Sequence, residues 1–214
     1  MRQWLFFLFA IILFSCNDSR KIPENFDYGK VENGIYKNNF FDFELPIPGN
    51  WNVQSKEQMD KINEEGRNII GEHNKELSEQ IKASEVNSAT LLSVFKYRDD
   101  TITGQFNPSF GMVAENLGRF SGMNTGKDYL EKAKALMEKS GITYHFAPEL
   151  TTEKLGNKDF TLMALTGRYK GDIDVNQLYY CCVEKRFAIS LIVSYGDDEQ
   201  KGELLKILSN IHFK

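Results

Sequence analysis

The sequence predicts an α+β fold: an antiparallel sheet covered by helices on both faces, an α/β/α sandwich. Three observations carry this. Leu178–Val183 and Phe187–Val193 are apolar at both parities rather than alternating, the mark of strands buried on both faces. Only Glu184-Lys185-Arg186 separates them, and a parallel return needs about a dozen residues or more, so the pair is an antiparallel hairpin. Three further stretches carry apolar residues at helical spacing and supply the cover.

The elements follow in order. Phe41, Phe43 and Leu45 alternate with Asp42 and Glu44, which predicts a strand over Ile35–Pro46. Pro46 and Pro48 stop it, Gly49-Asn50 turns the chain, and Trp51 and Val53 begin a short extended piece. Ser55 caps a helix from Lys56 to about Ala83, with Met59, Ile62, Ile69, Ile70, Leu77 and Ile81 on its apolar face. Gly66 and Gly71 each weaken that helix by ~1 kcal/mol against alanine, so a kink or break is expected at them. Ala89–Tyr97 and Ser109–Asn116 read as strands joined by a loop, Arg98 to Pro108. Thr125 with Asp128 resembles a capping box opening a helix along Tyr129, Leu130, Ala133, Leu136 and Met137, closed by Gly141. Ile142–Phe146, Glu149–Leu155, Phe160–Tyr169, Gln177–Glu184 and Phe187–Tyr195 read as strands. Asp197 or Asp198 caps a last helix, and His212-Phe213 adds a short strand.

Length and composition set the class. With 214 residues, 41% apolar and 26% charged, the chain has ordinary globular usage and room for one domain or two small ones. Aromatic content of 13% and a net charge of −4 exclude disorder as the main state. No nucleic-acid partner is expected, because no basic excess neutralises phosphate.

The N-terminus sets the address. Arg2 precedes the unbroken apolar run Trp4–Phe14, which spans about 16 Å as a helix against a hydrocarbon core of ~30 Å. It is too short to cross a membrane and fits the apolar region of a secretory signal. Leu13-Phe14-Ser15-Cys16 then resembles a bacterial lipobox. What that resemblance implies is a diacylglycerol on the Cys16 sulfur, cleavage before Cys16 and acylation of the new amino terminus, palmitate being such a chain. Two or three acyl chains anchor firmly where one is marginal. Residues 1–15 are therefore read as a lipoprotein signal peptide, 16–33 as a flexible polar tether and 34–214 as a single domain in the periplasm or at the cell surface. Extended at ~3.4 Å per residue, the tether reaches about 60 Å. The remaining cysteines, Cys181 and Cys182, are adjacent and read as buried strand residues, since neighbouring Cα atoms ~3.8 Å apart strain a disulfide.

Signals for chemistry are weak. His73, His145 and His212 stand far apart in no ligand spacing, and no Gly-x-Ser-x-Gly elbow occurs. Gly122–Asp128 glances at a phosphate loop but has Asp128 where Ser or Thr belongs, so a helix cap explains it. Asp172, Asp174 and Asn176 open like a calcium loop, but Gln177 replaces the turn glycine and Val183 the bidentate glutamate. A solvated hairpin loop is expected there, with cation binding left open. Asp99-Asp100 and Asp197-Asp198 read as turn and cap residues, and Phe40, Phe41, Phe43 and Trp51 as mostly core, with a share in a groove or partner surface. No catalytic residue, metal or cofactor is expected.

The order of elements resembles the PsbP-like fold, shared by the photosystem II extrinsic protein PsbP, a small Ran-binding import factor and various bacterial lipoproteins. Tyr36-Lys37-Asn38, Phe41-Asp42-Phe43-Glu44-Leu45-Pro46, Gly49-Asn50-Trp51, the helix Lys127–Ser140 and the hairpin with terminal helix over 177–211 carry the likeness. The resemblance implies a surface for binding or assembly and no enzymatic site. The expected function is a non-catalytic, lipid-anchored envelope module, held to a membrane through its N-terminal lipid and meeting an envelope protein partner. A carrier or sensor of a small apolar ligand, and an envelope enzyme with an unrecognised site, are the alternatives.

Overall fold

The computed structural model describes residues 21–98, 106–118, 122–169 and 173–214. The first strands are β1 (Lys30–Glu32), β2 (Ile35–Asn38), β3 (Phe43–Pro46) and β4 (Asn52–Val53). Helices α1 (Lys56–His73) and α2 (Lys75–Ser84) and a 3-10 turn at Glu85–Asn87 lead into β5 (Ser88–Phe95) and β6 (Ser109–Asn116). Helix α3 (Gly126–Met137) precedes β7 (Thr143–Phe146), β8 (Thr151–Leu155), β9 (Lys158–Tyr169), β10 (Ile173–Glu184) and β11 (Phe187–Tyr195). Helix α4 (Asp198–Leu208) and β12 (His212–Phe213) follow.

The large sheet runs β4-β5-β6-β11-β10-β9-β7, with β8 also on β9, and the small one β1-β2-β3-β12. Every strand pairing among the described residues is antiparallel. The α+β class expected from the non-alternating strands is the one adopted. β11 is buried at all nine positions because it sits mid-sheet with cover on both sides. On one face Asn63 of α1 bonds Thr90, and Tyr129 of α3 bonds Glu115, with α2 packed along α1. On the other, Phe110 meets Trp51 and Phe160 meets Phe213, while α4 packs across β11 and the small sheet across α4.

Four expectations need correction. Ile35–Pro46 is not one strand but the hairpin β2–β3. Phe40 and Phe41 both turn toward Phe187, Asn38 Oδ1 accepts from the Phe41 amide at 2.8 Å, and Asp42 takes φ 56° to restart the alternation. The long helix breaks at Asn74 rather than at a glycine: Asn74 ends α1, and its side chain caps α2 by accepting from Leu77 N at 3.0 Å. Gly71 instead permits close packing, since a Cβ there meets Ser78 Oγ at 3.3 Å. β10 begins at Ile173, four residues before the expected Gln177.

The fourth correction concerns the tether over 16–33. From Ile22 onward it is part of the body. Ile22 N donates to Val86 O at 3.1 Å, and Asn116 Nδ2 donates to Lys21 O at 3.0 Å. Phe26 is buried among Phe40, Phe41 and Phe187, and β1 pairs with β2. The polar neighbours of Phe26 hide a segment that one aromatic ring and backbone pairing hold in place. Residues 1–15, the expected anchor Cys16, Asp99-Asp100, Gly171 and Asp172 lie outside the described residues.

Candidate functional site: a groove between a proline turn and the last helix

A concavity among the described residues follows from the stop signals after β3. Pro46 ends that strand, Ile47 N donates to Gly34 O at 2.7 Å, and Trp51 N donates to Pro48 O at 2.9 Å. This turn sets the Trp51 ring 6.1 Å from Phe110 and holds it largely buried. Opposite stands α4, whose apolar residues Leu204, Ile207 and Leu208 face the body. Between turn and helix lies a groove of about 380 Å³, lined by Pro46, Ile47, Pro48, Asn50, Trp51, Glu203, Lys206, Ile207 and Asn210.

The groove has an apolar floor and a polar rim. Ile47, Trp51 and Ile207 form the floor. Asn210 is oriented by its bond to Lys206 O at 2.7 Å. Glu203 pairs with Lys96, and its bond holds that ammonium above the ordinary lysine range. An apolar side chain fits such a floor while amides at the rim meet the backbone that carries it. Trp51 lies beside the second residue of β6, whereas Lys21 is held by Asn116, its last. The groove and the N-terminal segment therefore stand at opposite ends of β6, about 20 Å apart at ~3.4 Å per residue.

The other residues singled out from sequence have structural employment. Phe41, Phe43 and Trp51 are buried and Phe40 half-buried, so this group is core, with Trp51 also part of the groove floor. Thr125 and Asp128 form a full capping box, with Asp128 N donating to Thr125 Oγ1 at 3.1 Å. Amides of Asn124 and Thr125 hold the Asp128 carboxyl below its usual range. Asp174 and Asn176 are on β10 rather than in a loop. Arg168 holds Asp174 in a two-pronged bond at 2.7 Å on each prong, which lowers that carboxyl's pKa, and Thr166 donates to Asn176 Oδ1 at 2.8 Å. His73, His145 and His212 are exposed on α1, β7 and β12. Cys181 and Cys182 are free thiols, buried, and pushed up in pKa by that burial. Among the described residues no three His, Cys, Asp or Glu side chains group as metal ligands.

Sequence reasoning missed a buried polar row on the α3-covered face. Tyr169 OH donates to Gln177 Oε1 at 3.3 Å, and Gln177 Nε2 donates to Ser194 Oγ at 3.1 Å. Ser109 is the register partner of Ser194, and Gln177, Ser194 and Ser109 are all at most 1% exposed. The signal was present as polar residues within apolar strands. Because a slip of one residue turns each side chain to the other face, this row defines register rather than a site.

No family model and no curated protein matches the sequence. The chain is similar to the solution structure of cyanobacterial PsbP (CyanoP) from Synechocystis sp. PCC 6803, with 9% identity, a TM-score of 0.49, and coverage of 84% of this chain and 91% of that one. The similarity is in the path of the chain, and each residue role above stands on this protein's own contacts.

Proposed function

We propose that the protein is a lipid-anchored envelope module that binds a protein partner through the groove between the proline turn and α4, and carries out no chemistry of its own. The groove carries this reading: an apolar floor inside a rim of amides and charges, set at the end of β6 away from the N-terminal segment. The lipobox-like Leu13-Phe14-Ser15-Cys16 supports the anchor. No described helix is long and apolar enough to cross a membrane.

The test is photo-crosslinking in the native envelope. A benzophenone side chain is placed at Lys206, on the rim, or at exposed Lys154, on β8. A discrete adduct from position 206 alone supports the reading, and its absence, or equal adducts from both, removes it. Native mass spectrometry of host-made protein covers the small apolar ligand, which appears as added mass. Cys16→Ala is expected to stay folded and leave the membrane fraction.

A further inference from the structure

We infer that the end of the molecule formed by Lys21, Val86, Asn116 and the Lys185-Arg186 turn rests on the phospholipid headgroup surface. The inference depends on Cys16 carrying the lipid, as proposed above. Its own basis is where Lys21 and Ile22 are held on the body. Asn116 Nδ2 holds Lys21 O at 3.0 Å, and Val86 O takes the Ile22 amide at 3.1 Å. Five peptide units separate the Cα atoms of residues 16 and 21, so a trans chain cannot place them more than about 18 Å apart. The freely extended tether of about 60 Å expected from sequence is thereby cut to a short leash.

The surface at the leash is suited to that position. Val86 is 56% exposed, the most exposed large apolar side chain among those described, and it adjoins the Ile22 bond. Arg186 and Lys185 sit in a turn with φ of 69° and 49°, fixed by the Arg186 bonds to Gly118 O and the Lys185 bonds to Phe40 O and Asp42. This turn, held by those bonds, joins β10 to β11 at the end where Phe187 pairs with Asn116. An exposed apolar side chain at the same end as two cations, Arg186 bonded to the Gly118 carbonyl and Lys185 paired with Asp42, matches the boundary between acyl chains and phosphate. The opposite end of β10, at Ile173, lies about 40 Å away at ~3.4 Å per residue. The groove beside Trp51 is at the far end as well, open to a partner that approaches from the aqueous side.

The experiment uses the full, host-lipidated chain in vesicles of phosphatidylethanolamine and phosphatidylglycerol that carry a headgroup quencher. A fluorophore is attached at Val86→Cys or, separately, at Ile173→Cys; native Cys181 and Cys182 are buried and Cys16 is occupied by lipid. Val86 is expected to be quenched at least about twofold more than Ile173, since the two ends stand ~40 Å apart. Equal quenching, or more at Ile173, overturns the orientation. Flotation of the same sample separates the two failures: a chain that does not float with vesicles overturns the lipid reading itself. Inserting about 20 Gly/Ser residues after Arg20 adds ~25 Å of root-mean-square reach. The Val86 signal should then fall toward that of Ile173 while flotation persists, and an unchanged signal overturns the role of the short leash.

Discussion

Replacing Phe26 with alanine probes whether the N-terminal strap, residues 21–33, is a docked part of the body. The ring is 7% exposed and stands 4.7 Å from Phe40, 5.8 Å from Phe41, 5.4 Å from Phe187 and 5.1 Å from Tyr28. In a closed core, Phe→Ala costs about 3–5 kcal/mol. A strap has another option: it can peel away, and the loss is then limited to the free energy that docks it. Hiding the Phe26 side chain contributes about 1.5–3 kcal/mol, and each favourable ring pair ~0.5–1.5 kcal/mol more. These gains together reach or exceed the closed-core figure, and because undocking of the strap limits the loss, the expected value is at the low end, about 3 kcal/mol. For a domain of this size ~1 kcal/mol moves Tm by about 2–4 °C, so calorimetry should show a fall of about 6–12 °C. The same ~3 kcal/mol raises the opening equilibrium of the strap by about 100-fold. Trypsin cleavage after Lys21 and Lys30, mapped by intact mass, should accelerate to match. A variant with the wild-type Tm and the wild-type cleavage rate would show that the strap does not depend on Phe26, and the leash would lose its footing.

Other perturbations read the core. Tyr129 OH donates to the buried Glu115 carboxylate at 2.8 Å, so Tyr129→Phe leaves that carboxylate short of one donor and should cost about 1.5–3 kcal/mol in a urea melt; a shift below ~0.5 kcal/mol contradicts this. Burial pushes the Cys182 thiol and the Tyr169 phenol up to about 12. Both folded values lie above the unfolded ones, so the native state holds these protons: their contribution to stability is constant below about pH 9 and is lost as pH rises from there toward 12. A urea midpoint near pH 11 equal to that near pH 8 rules this out. In Cys16→Ala, Ellman's reagent should find no fast thiol in the native protein and both Cys181 and Cys182 after denaturation; rapid native reaction means the β10–β11 core is open.

The sheet's centre was legible because its strands break the rule of alternation. Leu178–Val183 and Phe187–Val193 announce two-sided burial, and Glu184-Lys185-Arg186 leaves room only for a hairpin. The caps at Ser55, Thr125 and Asp197 were legible for a similar reason, since a capping side chain acts within three residues of itself. What escaped depends on distant partners. Asn74 looks like any polar residue within a helical pattern until α2 folds back on α1. Phe26 looks like one aromatic in a polar tract until Phe187 arrives to face it. β10 extends back to Ile173 because Arg168 and Thr166 of β9 pair with Asp174 and Asn176, a bonus no local pattern records. The groove was half legible: Pro46, Pro48 and Gly49-Asn50 mark a turn, but only the return of α4 makes it a concavity.

The small sheet joins pieces from far ends of the described chain. β3 receives β12, Phe43 pairs with Phe213, and Asn157 clasps the Phe213 backbone from both sides, accepting from its N–H at 3.0 Å and donating to its C=O at 2.6 Å. Together with the seat of Phe26 on Phe187, this orders assembly in time. As the chain folds, β3 and the segment around Phe26 stay unpaired until β12 and Phe187 reach them. A product cut before His212 leaves Phe43 and Phe160 without the ring of Phe213, so the small sheet closes only when both halves of this seam are present.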